Sequence, residues 1–371
     1  MNIAVVGAGM MGQVLAWYLS ESQHTVSLFD QNERSGAGVS PQSAAFAAAG
    51  MLAPYSEMDT ADDLVFSLGL KSLNLWRDLA DQLTTNTGID IDYQETGTLV
   101  LAHPQDHCDL TQFLSLLKSR LPSKAHKALQ SLDKNQLEHK AAEISKRFDR
   151  ATFIRHEACV SPRAALKAIT NNLELNNVRF FNKVKIENLQ ANSLERFGSF
   201  DHVFDCRGIG AKADIARLRG VRGETILVEA PDVALNTTIR LMHPRYKLYI
   251  APRKNKHFLL GASQIESNSH KPVSVRTALE LLSAAYSIDH GFGEASIIEM
   301  NAGCRPALPD NSPVLYYDDG IFRINGLFRH GVLLSPAIAE VALSCMTKKT
   351  GCIPEHQNFL ANTVSDSRLT A

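Results

Sequence analysis

The sequence predicts an α/β fold that opens on a parallel-sheet βαβ unit. Three observations carry this prediction. The chain begins with a strand, a glycine turn, a helix and a second strand. Strand character returns much later, in "VRFFNKVKIENL" and in "SFDHVFDCRGIGAKA". Between and after these, helical and strand patterns come in blocks, with no internal repeat and no long low-complexity linker.

The opening is "NIAVVGAGMMGQVLAWYLSESQHTVSLFD". Ile3 to Val6 is a short β-branched run of the kind buried in a parallel sheet. Gly7, Gly9 and Gly12 complete G-x-G-x-x-G. The first allows a tight turn, the second lets backbone approach a pyrophosphate, and the third lets the helix pack on the strand. A helix from about Gly9 to Ser20 aims its N-terminal N–H groups at phosphates. Val26 to Phe29 form a second strand ending in Asp30, where a carboxylate can accept from a ribose hydroxyl. Strand, turn, helix and acid agree, so the unit reads as a Rossmann-like dinucleotide site. The motif does not choose between NAD and FAD, and one copy implies one dinucleotide.

The bulk numbers exclude several classes. The chain has 371 residues, 44% apolar and 21% charged, enough for sizeable cores in two domains or one composite one. A net charge of −1 gives no global field toward nucleic acid or anionic lipid. The 6 cysteines form no CxxC pair and read as reduced thiols in a cytoplasmic protein. No metal is expected. The apolar start lacks the basic region of a signal peptide, its first Lys or Arg being Arg34. No run approaches about 18 apolar residues, so no membrane span is expected.

The later elements follow from their periodicity. "LVFSLGLKSLNLWRDLADQL" repeats apolar residues at three and four and predicts a helix. "TGTLVLA" predicts a strand. Residues 226 to 304 alternate as strands, with a helix at "VRTALELLSAAYSI". A last helix is expected at "SPAIAEVALSCM", stopped by Gly351, and the polar tail after Cys352 is expected to be loosely ordered. The pattern is interleaved: residues 1–55, 150–225 and 305–371 would form the dinucleotide domain, and 56–149 and 226–304 the substrate domain.

Several stretches narrow the class. "AAAGMLAPYSE" (Ala47 to Glu57), "VSPRAAL", "GVRGETI", "LYIAPRK", "LLGAS", "RPALPDNSPVL" and the opening stretch occur in an order similar to that of the ThiO-type glycine oxidases. These belong to the D-amino-acid oxidase and sarcosine oxidase group of flavoproteins, and the resemblance spans nearly the whole chain. It implies non-covalent FAD, a discontinuous FAD domain and a second domain whose antiparallel sheet roofs the flavin. It also implies roles. Gly7, Gly9 and Gly12 would contact the diphosphate and Asp30 the adenosine ribose. Glu33 and Arg34 would lie on the adenosine side, and Val184 would meet adenine through its backbone. Ala49, Gly50 and Met51 would touch the ring system or its linker. Gly208 keeps a second glycine turn at the cofactor. Leu327, Phe328, Arg329, His330, Gly331, Val332 and Leu333 would wrap the isoalloxazine.

The same resemblance puts Arg305 at the substrate-carboxylate position, where a guanidinium fork matches a carboxylate. It precedes Pro306 at the end of what reads as an irregular segment; the plainer alternative is a surface arginine bound to Asp310. Tyr249, on a strand-like stretch, could hydrogen-bond the same carboxylate or be a core tyrosine. Arg329 would favour an anionic reduced flavin, or else pair with a carbonyl or acid at a helix entry. His330 departs from the Asn usual there. Cys206 and Arg207 stand where small residues are expected, and Gln264 where methionine is common. Cys304 beside Arg305 lacks the flanks of a covalent flavin attachment and reads as a packed thiol.

The reaction implied is FAD-dependent oxidative deamination of glycine or another small amino acid or secondary amine. Molecular oxygen would be the acceptor, and a role in thiamine thiazole synthesis is implied by the ThiO setting. A D-amino acid dehydrogenase using another acceptor is the near alternative. A flavin-binding assembly or tRNA-modification partner is the alternative from another class, and a pure NAD-binding protein the last. A homo-oligomer is compatible with all of them.

Overall fold

The computed structural model describes residues 1–348 except 35, 37, 191 and 246. The expected stop at Gly351 and the tail after Cys352 lie outside the described residues. Among those described, strands gather into two large sheets and one two-stranded ribbon.

The six-stranded sheet runs in the order Val314–Asp318, Ile321–Asn325, His202–Asp205, Asn2–Val6, Thr25–Phe29, Arg179–Phe181. All neighbours are parallel except the outer hairpin Val314–Asp318 with Ile321–Asn325. Ile3, Ala4, Val5 and Val6 are buried, as a central parallel strand covered on both faces requires. The helix Met10–Glu21 makes the crossover between Asn2–Val6 and Thr25–Phe29. It packs with the helices Asp63–Thr87, Pro162–Leu175 and Gly331–Lys348 into the largest apolar core.

The nine-stranded sheet is antiparallel apart from Thr98–Ala102 beside Thr238–Met242. Its order is Ile265–Glu266, Arg219–Glu229, His257–Gly261, Leu248–Pro252, Thr238–Met242, Thr98–Ala102, Arg150–Ile154, Leu129–Asp133, with Ser296–Ala307 along the other edge of Arg219–Glu229. Alternation sets its two faces. Leu248 and Ile250 join the core under the helix Val275–Ile288, while Tyr249 points into a cavity on the opposite side.

Several expectations change. The strands Arg150–Ile154, Arg219–Glu229 and Ser296–Ala307 all belong to the larger sheet, so expected boundaries at 150, 225 and 305 misassign or cut through them. Strand pairing decides this, and a boundary drawn from composition does not see pairing. Arg305 stands within the strand Ser296–Ala307 and not at the end of an irregular segment. "VRFFNKVKIENL" keeps only Arg179–Phe181 as strand. The alanine-rich stretch is a short 3-10 turn, Ala44–Ala47, followed by the strand Met51–Leu52. The last helix begins at Gly331, one turn before Ser335.

Candidate active site

A cavity of about 490 Å³ runs between the two sheets. At one end lies the N-terminal glycine turn. Gly7 adopts φ +104°, and a Cβ there would stand 2.4 Å from the Cys206 carbonyl oxygen. Gly9 is the N-cap of the helix Met10–Glu21 and gives it no side-chain cap, so first-turn N–H groups are left for a ligand. Both line the cavity. Gly12 does not: a Cβ at Gly12 would fall 1.8 Å from the Gly7 carbonyl oxygen, so its work is helix–strand packing and not diphosphate contact.

Asp30 also lines the cavity. Its Oδ2 accepts the Ala8 N–H at 2.8 Å and its Oδ1 the Asn32 N–H at 2.8 Å. The carboxylate thus fixes the turn, and its remaining lone pairs stay able to accept from a ligand hydroxyl. The other residues expected on the adenosine side are elsewhere. Glu33 pairs with Lys183 at the surface, and Arg34 stacks on Phe180 and pairs with Glu174. The Val184 N–H is bonded to the Asp30 carbonyl, and none of the three lines the cavity. Chain direction after Asp30 accounts for this, since the backbone turns outward to pair with the segment around Lys183.

The middle of the cavity is walled by Ala49, Gly50 and Met51, by Gly208 at φ +56°, and by Cys206. Gly50 is needed here: at φ +69°, a Cβ would meet the Val160 carbonyl oxygen at 2.0 Å. Arg207, unexpected beside a cofactor turn, is consumed beneath it. With Arg323 it faces the buried Asp205 and the nearby Asp214, and it donates to the carbonyls of Ile186 and Glu187. Leu327 to Leu333 all line the far wall, where Trp76 Nε1 donates to the Val332 carbonyl at 2.9 Å.

The other end gathers Arg305, Tyr249, Arg329 and His330, together with Glu57, which the sequence reading gave no role. Glu57 Oε1 accepts from the Tyr249 hydroxyl at 2.5 Å and from Arg329 Nη2 at 3.0 Å. Burial would raise the Glu57 pKa, but the adjacent charges, Arg329 foremost, and the Tyr249 O–H outweigh it and bring it to about 2. The expected roles shift accordingly. The Tyr249 hydroxyl donates its hydrogen bond to Glu57, and the charge of Arg329 is already met by an acid. Burial also pushes the Tyr249 phenol well above its usual range, so it stays neutral. His330 is buried, and burial drives its pKa down to about 4, leaving the ring neutral near pH 7.

Arg305 differs from these. Its Nη1 donates to the Ser263 carbonyl at 3.0 Å, and among the described residues it forms no ion pair with a carboxylate, Asp310 included. Burial, then the nearby Arg329, lower its pKa to about 10. A partly desolvated guanidinium without an acid, at the end of a long cavity, is suited to an anionic ligand. Cys304 beside it is buried, with Sγ 3.5 Å from the Ser269 carbonyl.

Behind this end, Arg240 is fully buried on Asp59 at 2.7 Å, and Lys247 reaches the same carboxylate at 3.1 Å. Glu157 accepts both the N–H and the hydroxyl of Ser56, each at 2.6 Å, and burial raises its pKa to about 7. Glu57 had one sequence signal: it is the first charged side chain after Arg34. Among the described residues no group of three or more His, Cys, Asp or Glu forms a metal site. His103 and His107 stand four apart, but His103 precedes a 3-10 turn and His107 starts the next helix, so they share no helical face. No described helix is long and apolar enough to cross a membrane.

An uncapped helix start, glycines that admit backbone contact, an acid at the ribose position and a cavity of this size fit a flavin dinucleotide. Together with a free guanidinium at the far end, they define a flavin-dependent oxidoreductase. A family model described as FAD dependent oxidoreductase (DAO) matches residues 2–344, and the chain belongs to that family. It is 36% identical over 94% of its length to a Rhizobium etli protein, 98% covered, that carries the name thiamine biosynthesis oxidoreductase ThiO. It is similar to the glycine oxidase of Geobacillus kaustophilus, whose crystal structure superposes with a TM-score of 0.80 at 25% identity, covering 94% of this chain and 95% of that one. An iminodiacetate oxidase from Chelativorans sp. shares the fold at a TM-score of 0.79 and 22% identity, covering 96% of this chain and 98% of that one. The fold is thus a Rossmann-like FAD-binding part joined to an α+β part with a largely antiparallel sheet, and FAD is the cofactor.

Proposed function

We propose that this protein oxidises the C–N bond of glycine or another small amino acid or secondary amine to an imine that water hydrolyses, giving a 2-oxo acid and ammonia (a primary amine from a secondary one), with molecular oxygen as acceptor reduced to hydrogen peroxide. The observation that carries the reading is Arg305, a guanidinium without an acid at the end of a flavin-sized cavity. When bound, FAD supplies the hydride acceptor.

The chain's own residues supply the rest. Gly7, Gly9 and the helix start hold the diphosphate, and Asp30 the ribose. Ala49 to Met51 and Leu327 to Leu333 enclose the ring. Arg305 fixes the substrate carboxylate and so orients Cα toward the flavin. Tyr249 and Arg329 hold Glu57 in place and exclude water from one wall. No residue here is suited to act as a strong base: Glu57 has a pKa near 2 and His330 one near 4, so the amine would lose its proton to solvent before the chemical step. The larger sheet forms the substrate side and the six-stranded sheet the cofactor side. The likeness to a ThiO-named relative supports a place in thiamine thiazole synthesis.

The test is an anaerobic screen of small amino acids against the purified holoprotein. Bleaching of the flavin absorbance is expected with glycine or a close analogue, followed by peroxide on admitting air. No bleaching with any small amine would overturn the reading. Bleaching without peroxide, but with turnover on an artificial acceptor, would make the protein a dehydrogenase.

A further inference from the structure

Three charged side chains line the substrate end, and Asp62 acts on His330 from outside the lining. Arg305 and Arg329 bring two cations, and Glu57 one anion bonded to Arg329 at 3.0 Å. His330 faces the same space but is neutral near pH 7, and Tyr249 stays neutral. Behind the wall, the cations Arg240 and Lys247 stand against the acids Asp59 and Glu157, so that layer carries roughly as many positive as negative groups. His270 lines the cavity from an exposed position, where water screens it. The lining therefore offers one uncompensated positive charge, on Arg305.

We propose that Glu57 is a specificity-determining residue: by neutralising Arg329 it restricts the site to ligands with a single carboxylate and rejects dicarboxylates. This rests on the reading of the Arg305 end as the substrate's place. A first carboxylate meets Arg305. A second would have to displace Glu57 from Arg329 or sit beside a buried like charge, both unfavourable at low local dielectric. Without Glu57, Arg329 would be a second free guanidinium, and the same cavity would suit a dianion.

The test measures binding and needs no turnover. Acetate and malonate, both ionised at about pH 8, are titrated into the holoprotein while the flavin spectrum is followed. Wild type should bind acetate at least as tightly as malonate. Glu57→Gln should shift the ratio of dissociation constants toward malonate by ~10-fold or more, since close charge pairs couple by about 1.5 kcal/mol or more. The double variant Glu57→Gln/Arg329→Met carries the wild-type charge count and should return the ratio to its original value. Arg329→Met alone leaves Glu57 uncompensated and should weaken both ligands, malonate more. If Glu57→Gln retains flavin and the ratio stays within about twofold of wild type, the proposal fails. If Glu57→Gln loses flavin, Arg329→Met decides, and equal weakening of the two ligands would overturn the proposal. If neither anion perturbs the spectrum of wild type, the carboxylate site itself is refuted, which separates failure of the reading from failure of this inference.

Discussion

Gly223→Ala is the sharpest test of the carboxylate clamp, because it moves Arg305 without removing it. Gly223 lies on the strand Arg219–Glu229, beside the strand that carries Arg305. A Cβ at Gly223 would stand 2.2 Å from Arg305 Nη2 and 2.4 Å from Cζ, whereas ordinary contact begins near 3.4 Å. The atoms it meets are the far end of a flexible side chain, so the strand can keep its place while the guanidinium retreats by roughly 1 Å. A shift of that size in a substrate-positioning group is expected to lower kcat/KM by ~100-fold, about 2.7 kcal/mol of transition-state stabilisation. The assay pairs steady-state kinetics with glycine against anaerobic flavin reduction in stopped flow, with flavin content and melting temperature as controls for folding. Wild-type kcat/KM in a flavin-loaded, normally stable Gly223→Ala protein would refute the assignment of Arg305.

The remaining predictions concern charge and proton state. Asp205→Asn should destabilise the fold by about 1.5–3 kcal/mol, because it removes the charge from one acceptor of Arg207 and Arg323 and leaves Asp214 as their remaining carboxylate; chemical denaturation reads it, and a loss under about 0.5 kcal/mol would contradict it. Glu157 holds its proton up to about pH 7 in the folded state against a reference value of 4.5, so its contribution is intact below 4.5 and declines as pH rises toward 7. Glu157→Gln should therefore gain stability relative to wild type on going from about pH 5 to about pH 8, on the order of 3 kcal/mol by urea unfolding, and a pH-independent difference would contradict this. His330→Asn should leave the pH dependence of kcat/KM unchanged between about pH 6 and 9, since the histidine is already neutral there; a lost limb in the profile would show that its ring titrates with catalysis.

The glycine turn and Asp30 were legible in the sequence and the cluster around Glu57 only half so, for a physical reason. The glycine turn is a local device within one strand–helix unit: Gly7 and Gly12 answer to close backbone approaches, and Gly9 starts the helix without a side-chain cap. Asp30 is equally local, bonding back to Ala8 across the adjacent strand. The substrate end is built from pairs far apart in the chain. Glu57 meets Tyr249 and Arg329 across separations of 192 and 272 residues, and no periodicity reports such a contact. Pairing of Arg329 with an acid was therefore open as an alternative, but the sequence could not say that the acid is Glu57. Glu33 and Arg34, which the resemblance put on the adenosine side, are turned outward into pairs with Lys183 and Glu174 that their spacing does not reveal. The boundaries at 150, 225 and 305 failed because a long strand reads alike whichever sheet it joins.

The cavity has a consequence for how the protein holds together. Its lining is drawn from the first strand–helix unit, the 39–57 stretch, the turn after Asp205, the middle of the larger sheet and the entry to the last helix. Either sheet alone supplies only part of it, so the native arrangement of both should bind FAD far more tightly than any partly opened form. Cofactor affinity and cohesion between the two sheets then become one thermodynamic quantity. Each tenfold of free FAD above the dissociation constant adds about 1.4 kcal/mol against opening of either sheet. A lesion far from the flavin, such as one in the Asp205 cluster, would first announce itself as yellow colour lost from the protein.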